Sequence, residues 1–257
     1  MTGNYALFDS DIRAFNFMDD FTIITNTKKN TTKLFLDKIT RKSKLLKLLR
    51  SGIGGTYTGD GLGYDRNLET KMGIKRLQGY FQTYRYYFSM LELDNVPKLE
   101  LKIESEWFLN LKSVILSKPI IVVHIRRGDY TKVSSSIGMV GREYYIEAIH
   151  RIRSTLPEGE FWVFSDDEDA AKQILHGIEM NKCTWISPPP GTDAAESLVL
   201  MSFGKAIIMA NSSFSWWAAV SGDRSKNVIA PLPWFKNLNE PKDLIPEHWM
   251  RIKSSWA

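Results

Sequence analysis

The chain has 257 residues, 43% hydrophobic and 25% charged, a balance that excludes a disordered polymer or a fibre and leaves room for one large domain or two small ones. Its net charge of +5 and pI near 9.1 favour anionic partners (nucleotide phosphates, nucleic acid or an acidic membrane surface) without choosing among them. The single cysteine, Cys183, excludes an internal disulfide and a Cys-rich zinc site and fits a reducing compartment.

From the N-terminus, Met1 to Tyr5 lack the basic and apolar regions of a signal peptide. The apolar runs fall far short of the roughly 20 residues that span a bilayer. The expected location is therefore cytoplasmic. Residues 33–50 read as a helix, with Leu34, Ile39, Leu45, Leu46 and Leu49 near helical spacing and lysines and arginines between them. Two readings of it stay open: a surface helix of the domain, or a helix in peripheral contact with an anionic membrane. Residues 52–63 are glycine-rich but lack the Gly-Lys-Ser/Thr ending of a phosphate loop, and read as a flexible turn.

From Pro119 the pattern becomes regular. Strands are predicted at 120–123, 161–164, 206–209 and 228–230, and helices at 143–154, 168–175, 194–203 and 214–220. Such alternation implies a parallel sheet covered on both faces, an α/β fold. The expected division is an N-terminal region over 1–115 and a nucleotide-binding domain over 116–257.

Ligands of open parallel sheets bind beyond the carboxyl ends of the strands. Three polar clusters follow strands here: His124 to Tyr130, Ser165 to Asp167, and Asn211 to Trp217. Arg126 and Arg127 offer planar, permanently charged forks that match phosphate oxygens, although one of them could pair with Asp129 instead. Asn211, Ser212 and Ser213 stand where a helix starts and suit either an anion or a simple N-cap. Of Asp166 and Asp167, one is expected to cap the next helix, leaving the other to accept from a base or a sugar hydroxyl. No metal site is expected: the run 166–169 does not bring carboxylates from several directions, and the four histidines show no ligand spacing. His124 is read as a buried, hydrogen-bonded residue, and the Trp216-Trp217 pair as core.

Together these clusters resemble the α-1,2-fucosyltransferases of glycosyltransferase family 11. Residues 123–130 look like the family's His-x-Arg-Arg-x-Asp motif, 164–167 are similar to its second signature, and 211–219 are nearly a verbatim form of its third. Residues 77–82 resemble a further Gly-Tyr-[Trp/Phe]-Gln segment. The resemblance implies a GT-B-like fold of two Rossmann-type halves with parallel sheets. It implies GDP-β-L-fucose as donor, a galactose-terminated glycan as acceptor, inversion to an α-1,2-fucoside, and no required metal or other cofactor. Carried over by position, it puts Arg126 and Arg127 on the diphosphate and His124 and Asp167 near guanine or its ribose. Ser212, Ser213 and Phe214 then close over the phosphate and base. Arg126 would stabilise the departing phosphate, with Asp129 as candidate base unless it pairs with Arg127. The family's opening strand and Gly-Gly-Leu-Gly-Asn-Gln loop have no counterpart in this sequence, so the N-terminal half is expected to be truncated, and Glu196-Ser197-Leu198 carries Ser where the family usually has Asp. The alternative reading is a GDP-sugar-binding protein without turnover. Nucleic acid is not expected as a partner, because no recognised module is present.

Overall fold

The computed structural model describes residues 56–59, 62–70, 76–92, 99, 101 and 103–257. The chain divides into two compact units, Met1–Pro97 with Pro241–Leu244, and Lys98–Glu240 with Ile245–Ala257. The helix expected at 33–50 lies outside the described residues.

In the first unit, strand β1 (Thr56–Thr58) pairs in parallel with β2 (Arg76–Gln78), and helices α1 (Arg66–Thr70) and α2 (Tyr84–Glu92) accompany them. Part of the segment read as a turn is thus a strand: Thr-Tyr-Thr is β-prone despite its glycine flanks. Tyr57 is buried and its hydroxyl donates to Asp65 Oδ2 at 2.6 Å. Phe81 lies against Gly59 and Gly79, where an added Cβ would come within 2.8 and 2.9 Å of its ring.

The second unit begins with α3 (Glu106–Ser117) and continues through β3 (Ile120–Ile125), a 3₁₀ helix (Gly128–Val133), α4 (Arg142–Thr155), β4 (Glu160–Ser165), α5 (Glu168–Leu175) and β5 (Cys183–Trp185). It ends with α6 (Ala194–Ser202), β6 (Ala206–Ile208), α7 (Ser213–Val220), β7 (Asn227–Leu232) and β8 (Met250–Lys253). All six strands are parallel, in the order β5-β4-β3-β6-β7-β8. The parallel α/β sheet expected from the alternation is present in this unit.

The order places a topological switch at the centre. The chain leaves β3 toward β4 and β5, then returns to lay β6 along the other side of β3. The carboxyl ends of β3 and β6 lie side by side there, the ligand position of open α/β sheets. The core beneath follows from strand parity. Ile121, Val123 and Ile125 join Tyr144, Tyr145, Ala148, Ile149 and Ile152 of α4 and Ala171 and Leu175 of α5 in one buried cluster. Tyr144 donates toward the carbonyls of Met209 and Ile229, and Tyr145 to that of His124, so α4 also ties down the strand ends. Burial raises both phenols above the usual range and keeps them donors.

On the other face α6 packs against α3 and α7. Glu196 of α6 is buried and receives Ser105 N–H at 2.9 Å and Ser105 Oγ–H at 2.6 Å, while Ser105 Oγ caps α3 through Phe108 N–H. An anionic group at the start of α3 also suits the helix dipole. Glu196→Ala should cost about 1–2 kcal/mol, since it removes two hydrogen bonds from half-buried Ser105 and empties a buried site. Urea unfolding checks this; an unchanged midpoint would show that water replaces the carboxylate without loss.

Candidate functional site

The site grows out of the end of β3. Parity sends Ile125 and Arg127 toward α4 and Arg126 the other way. Arg127 is accordingly buried, and its guanidinium donates to the Val140 carbonyl at 2.5 Å and the Arg126 carbonyl at 3.5 Å. Burial also pulls it below the usual guanidinium range. Arg126 turns to the opposite side. Its Nη2 lies 2.6 Å from Asp129 Oδ1, its Nε 3.2 Å from Asp166 Oδ2, and its guanidinium carbon 5.4 Å from the centre of the Tyr130 ring. The Nε contact is an ion pair by distance and has no hydrogen-bonding angle. The pairing considered between Asp129 and Arg127 is therefore corrected: the partner of Asp129 is Arg126, because Arg127 points into the α4 layer.

The two aspartates after β4 divide their work. Asp167 caps α5, its Oδ1 receiving Ala170 N–H at 3.0 Å. Asp166 is the spare one, and it reaches across to the β3 loop. Its Oδ1 receives Arg127 N–H at 2.8 Å while Oδ2 faces Arg126. Gly128 makes room for this: a Cβ there would stand 2.3 Å from Asp166 Oδ2.

From β6 the chain enters Asn211 and α7. Asn211 is 1% exposed, and its Nδ2 lies 3.2, 3.1 and 3.1 Å from the carbonyls of Ile137, Gly138 and Trp234, so its amide ties the loop at 137–138 to the one at 234. Its own carbonyl receives the Tyr130 hydroxyl at 3.2 Å. Ser212 is the N-cap of α7 and accepts from Phe214 N–H at 3.3 Å. Ser213 opens the helix, and the Phe214 ring lies 5.7 Å from the His124 ring. Of the pair expected to be core, Trp216 is buried and Trp217 only partly so.

His124 is buried as expected, but the expected hydrogen bond is absent at one nitrogen: Nδ1 has no partner among the described residues. Burial, with the Arg126 charge acting in the same direction, pulls the imidazole down to about 3, so it is neutral across the physiological range. An orphan buried ring nitrogen beside a helix start fits a polar ligand.

The structure thus gathers Arg126, Asp129, Asp166, His124, Ser212, Ser213 and Phe214 around one switch point, with Arg127 and Asn211 packed beneath as supports and Asp167 spent on a cap. Sequence reading missed Tyr130 and Gly128. The signal for Gly128 was its place between two arginines and an aspartate, where any side chain would crowd the loop. Among the described residues, no group of three or more His, Cys, Asp or Glu is placed to hold a metal ion, and no helix is long and apolar enough to cross a membrane.

A parallel sheet with an arginine and a helix start at its switch point has the usual ligand position of an open α/β protein. The chain belongs to glycosyltransferase family 11, whose model matches residues 75–253. It is 33% identical over 202 residues to an α-1,2-colitosyltransferase of Escherichia coli, covering 74% of this chain and 67% of that protein. It is 31% identical over 140 residues to the O-antigen biosynthesis glycosyltransferase WbnK of Escherichia coli, covering 51% of this chain and 43% of that one. Among solved structures, POFUT1 in complex with GDP-fucose is similar at 15% identity and a TM-score of 0.34, covering 50% of this chain and 46% of that one.

Proposed function

We propose that this chain transfers L-fucose from GDP-β-L-fucose to the 2-hydroxyl of a terminal galactoside, with inversion. The reading rests on one observation above all: the end of β3 at the switch point carries the Arg126 guanidinium, held between Asp129 of its own loop and Asp166 after β4. A diphosphate leaving group needs such a group. In the reaction the acceptor hydroxyl attacks the anomeric carbon, the bond to the β-phosphate oxygen breaks, and GDP departs with the electron pair. Arg126 meets the charge that builds on the phosphate. The hydroxyl proton goes to a base, for which Asp129 is the candidate. The His124 ring and Phe214 suit the nucleoside, and the arginine charge does the neutralising that a metal ion does in other transferases.

Galactoside specificity and the fucosyl donor follow the motif resemblance. A second donor is favoured by a specific observation, the 33% identity to an α-1,2-colitosyltransferase. GDP should bind more tightly than UDP or CMP in calorimetry. Transfer to a galactoside should proceed from GDP-fucose, or from GDP-colitose if the second reading holds, and should survive EDTA. Absent or equal binding of GDP would sink the donor assignment. Activity lost to EDTA and restored by Mn²⁺ would sink the metal-free mechanism. GDP binding without transfer from either donor would favour a binding protein without turnover.

A further inference from the structure

The two carboxylates on Arg126 are held very differently. Asp166 is anchored twice on the β3 loop, by the Arg127 N–H at 2.8 Å and by the space that Gly128 leaves for Oδ2, and it faces Nε at the root of the guanidinium. Asp129 is half exposed, on the first turn of the 3₁₀ helix, and among the described residues its carboxylate has no hydrogen-bond partner other than Arg126 Nη2. One guanidinium therefore faces two carboxylates, and no part of its charge is left over at the place where a diphosphate has to arrive. An anion cannot join that group favourably unless one carboxylate leaves, and only Asp129 is free to go.

We propose that Asp166 is a positioning residue that fixes Arg126 at Nε, and that Asp129 occupies the outer edge of the guanidinium as a stand-in anion which the donor's diphosphate displaces. Asp129 meets Nη2 through one oxygen, and a phosphate oxygen can accept from the same N–H, so the exchange needs no change in the Arg126 rotamer. The displaced Asp129 carboxylate is then released from its ion pair at the moment the donor is seated. The inference rests on the reading that Arg126 receives the diphosphate.

The test is calorimetry of GDP binding to the full chain, with thermal unfolding of each protein alongside. Asp129→Asn removes the competitor, and the Kd for GDP should fall about threefold to tenfold. Asp166→Asn should raise it about tenfold, and Gly128→Ala should raise it similarly by displacing the same carboxylate. The double variant should be no weaker than the weaker single one, since both changes break one link. A merely structural carboxylate predicts the opposite sign for Asp129→Asn, because lost order weakens binding. Unchanged or weaker binding by Asp129→Asn would overturn the exchange, and unchanged binding by Asp166→Asn would overturn the positioning role. Arg126→Lys separates the two levels. If it weakens GDP while Asp129→Asn does not tighten it, the donor reading stands and the exchange falls. If it leaves GDP binding intact, the donor reading itself falls.

Discussion

Arg126→Lys should lower fucosyl transfer by about 10²–10³-fold while leaving the protein folded. Lysine keeps the positive charge but presents a single ammonium. It cannot span the 3.2 Å contact to Asp166 and the 2.6 Å contact to Asp129 as one planar group, nor stack its head on Tyr130 as the guanidinium does. The phosphate would still be attracted, so binding should suffer less than turnover. The stability change should be small, since a loss of about 1 kcal/mol moves the melting temperature of a chain this size by about 2–4 °C. Paired measurements of melting and of transfer decide the matter. A well-folded variant with near-normal transfer would remove Arg126 from the chemistry, and a large fall in melting temperature with normal turnover per folded molecule would make it a structural residue.

Asn211→Asp should destabilise the protein by about 3–5 kcal/mol, which corresponds to a melting temperature lower by roughly 10 °C. The carboxamide nitrogen sits among the carbonyls of Ile137, Gly138 and Trp234 in a place where it is 1% exposed. An aspartate of the same shape would aim an oxygen at three oxygens and bury a charge with no cation to meet it. The loops at 137–138 and at 234 would lose their common donor, and Tyr130 would lose a fixed carbonyl to rest on. If Asn211 instead acted by touching the donor, as its place in the third motif suggests, the variant would melt near the wild-type temperature and lose GDP binding alone. The two outcomes do not overlap.

Much of this was legible in the sequence, for identifiable reasons. The central strand announced itself because Ile120 to Val123 is a β-branched run followed by polar residues, and its observed extent only adds His124 and Ile125. The capping role of one of the paired aspartates was legible from its position just before a helix. The edge strands were not. Cys183–Trp185 is three residues long and only partly buried, and Met250–Lys253 buries Ile252 while exposing Met250 and Lys253. Neither is apolar enough to stand out as a strand of a parallel sheet. The split between Arg126 and Arg127 was within reach, because counting by twos from Ile121 puts Arg127 with the core. What could not be read is the reach of Asp166 to Arg127 N–H, which depends on the register of β3 against β4, and of Asn211 to three carbonyls, which are brought close only by the return of the chain to β6.

That return has a consequence for how the site comes into being during synthesis. Arg126 and its two aspartates have been made by the time α5 begins, yet the strand that lies against the other side of β3 begins only at Ala206, and the helix start beyond it only at Ser213. A nascent chain interrupted between these points carries Arg126 and its two carboxylates with one flank of β3 unpaired, and closing the gap requires a long-range contact with its loop entropy. A nucleotide that recognises the finished junction therefore reports on the closure of the sheet, and two separately expressed fragments divided between β5 and α6 would regain it only on reassociation.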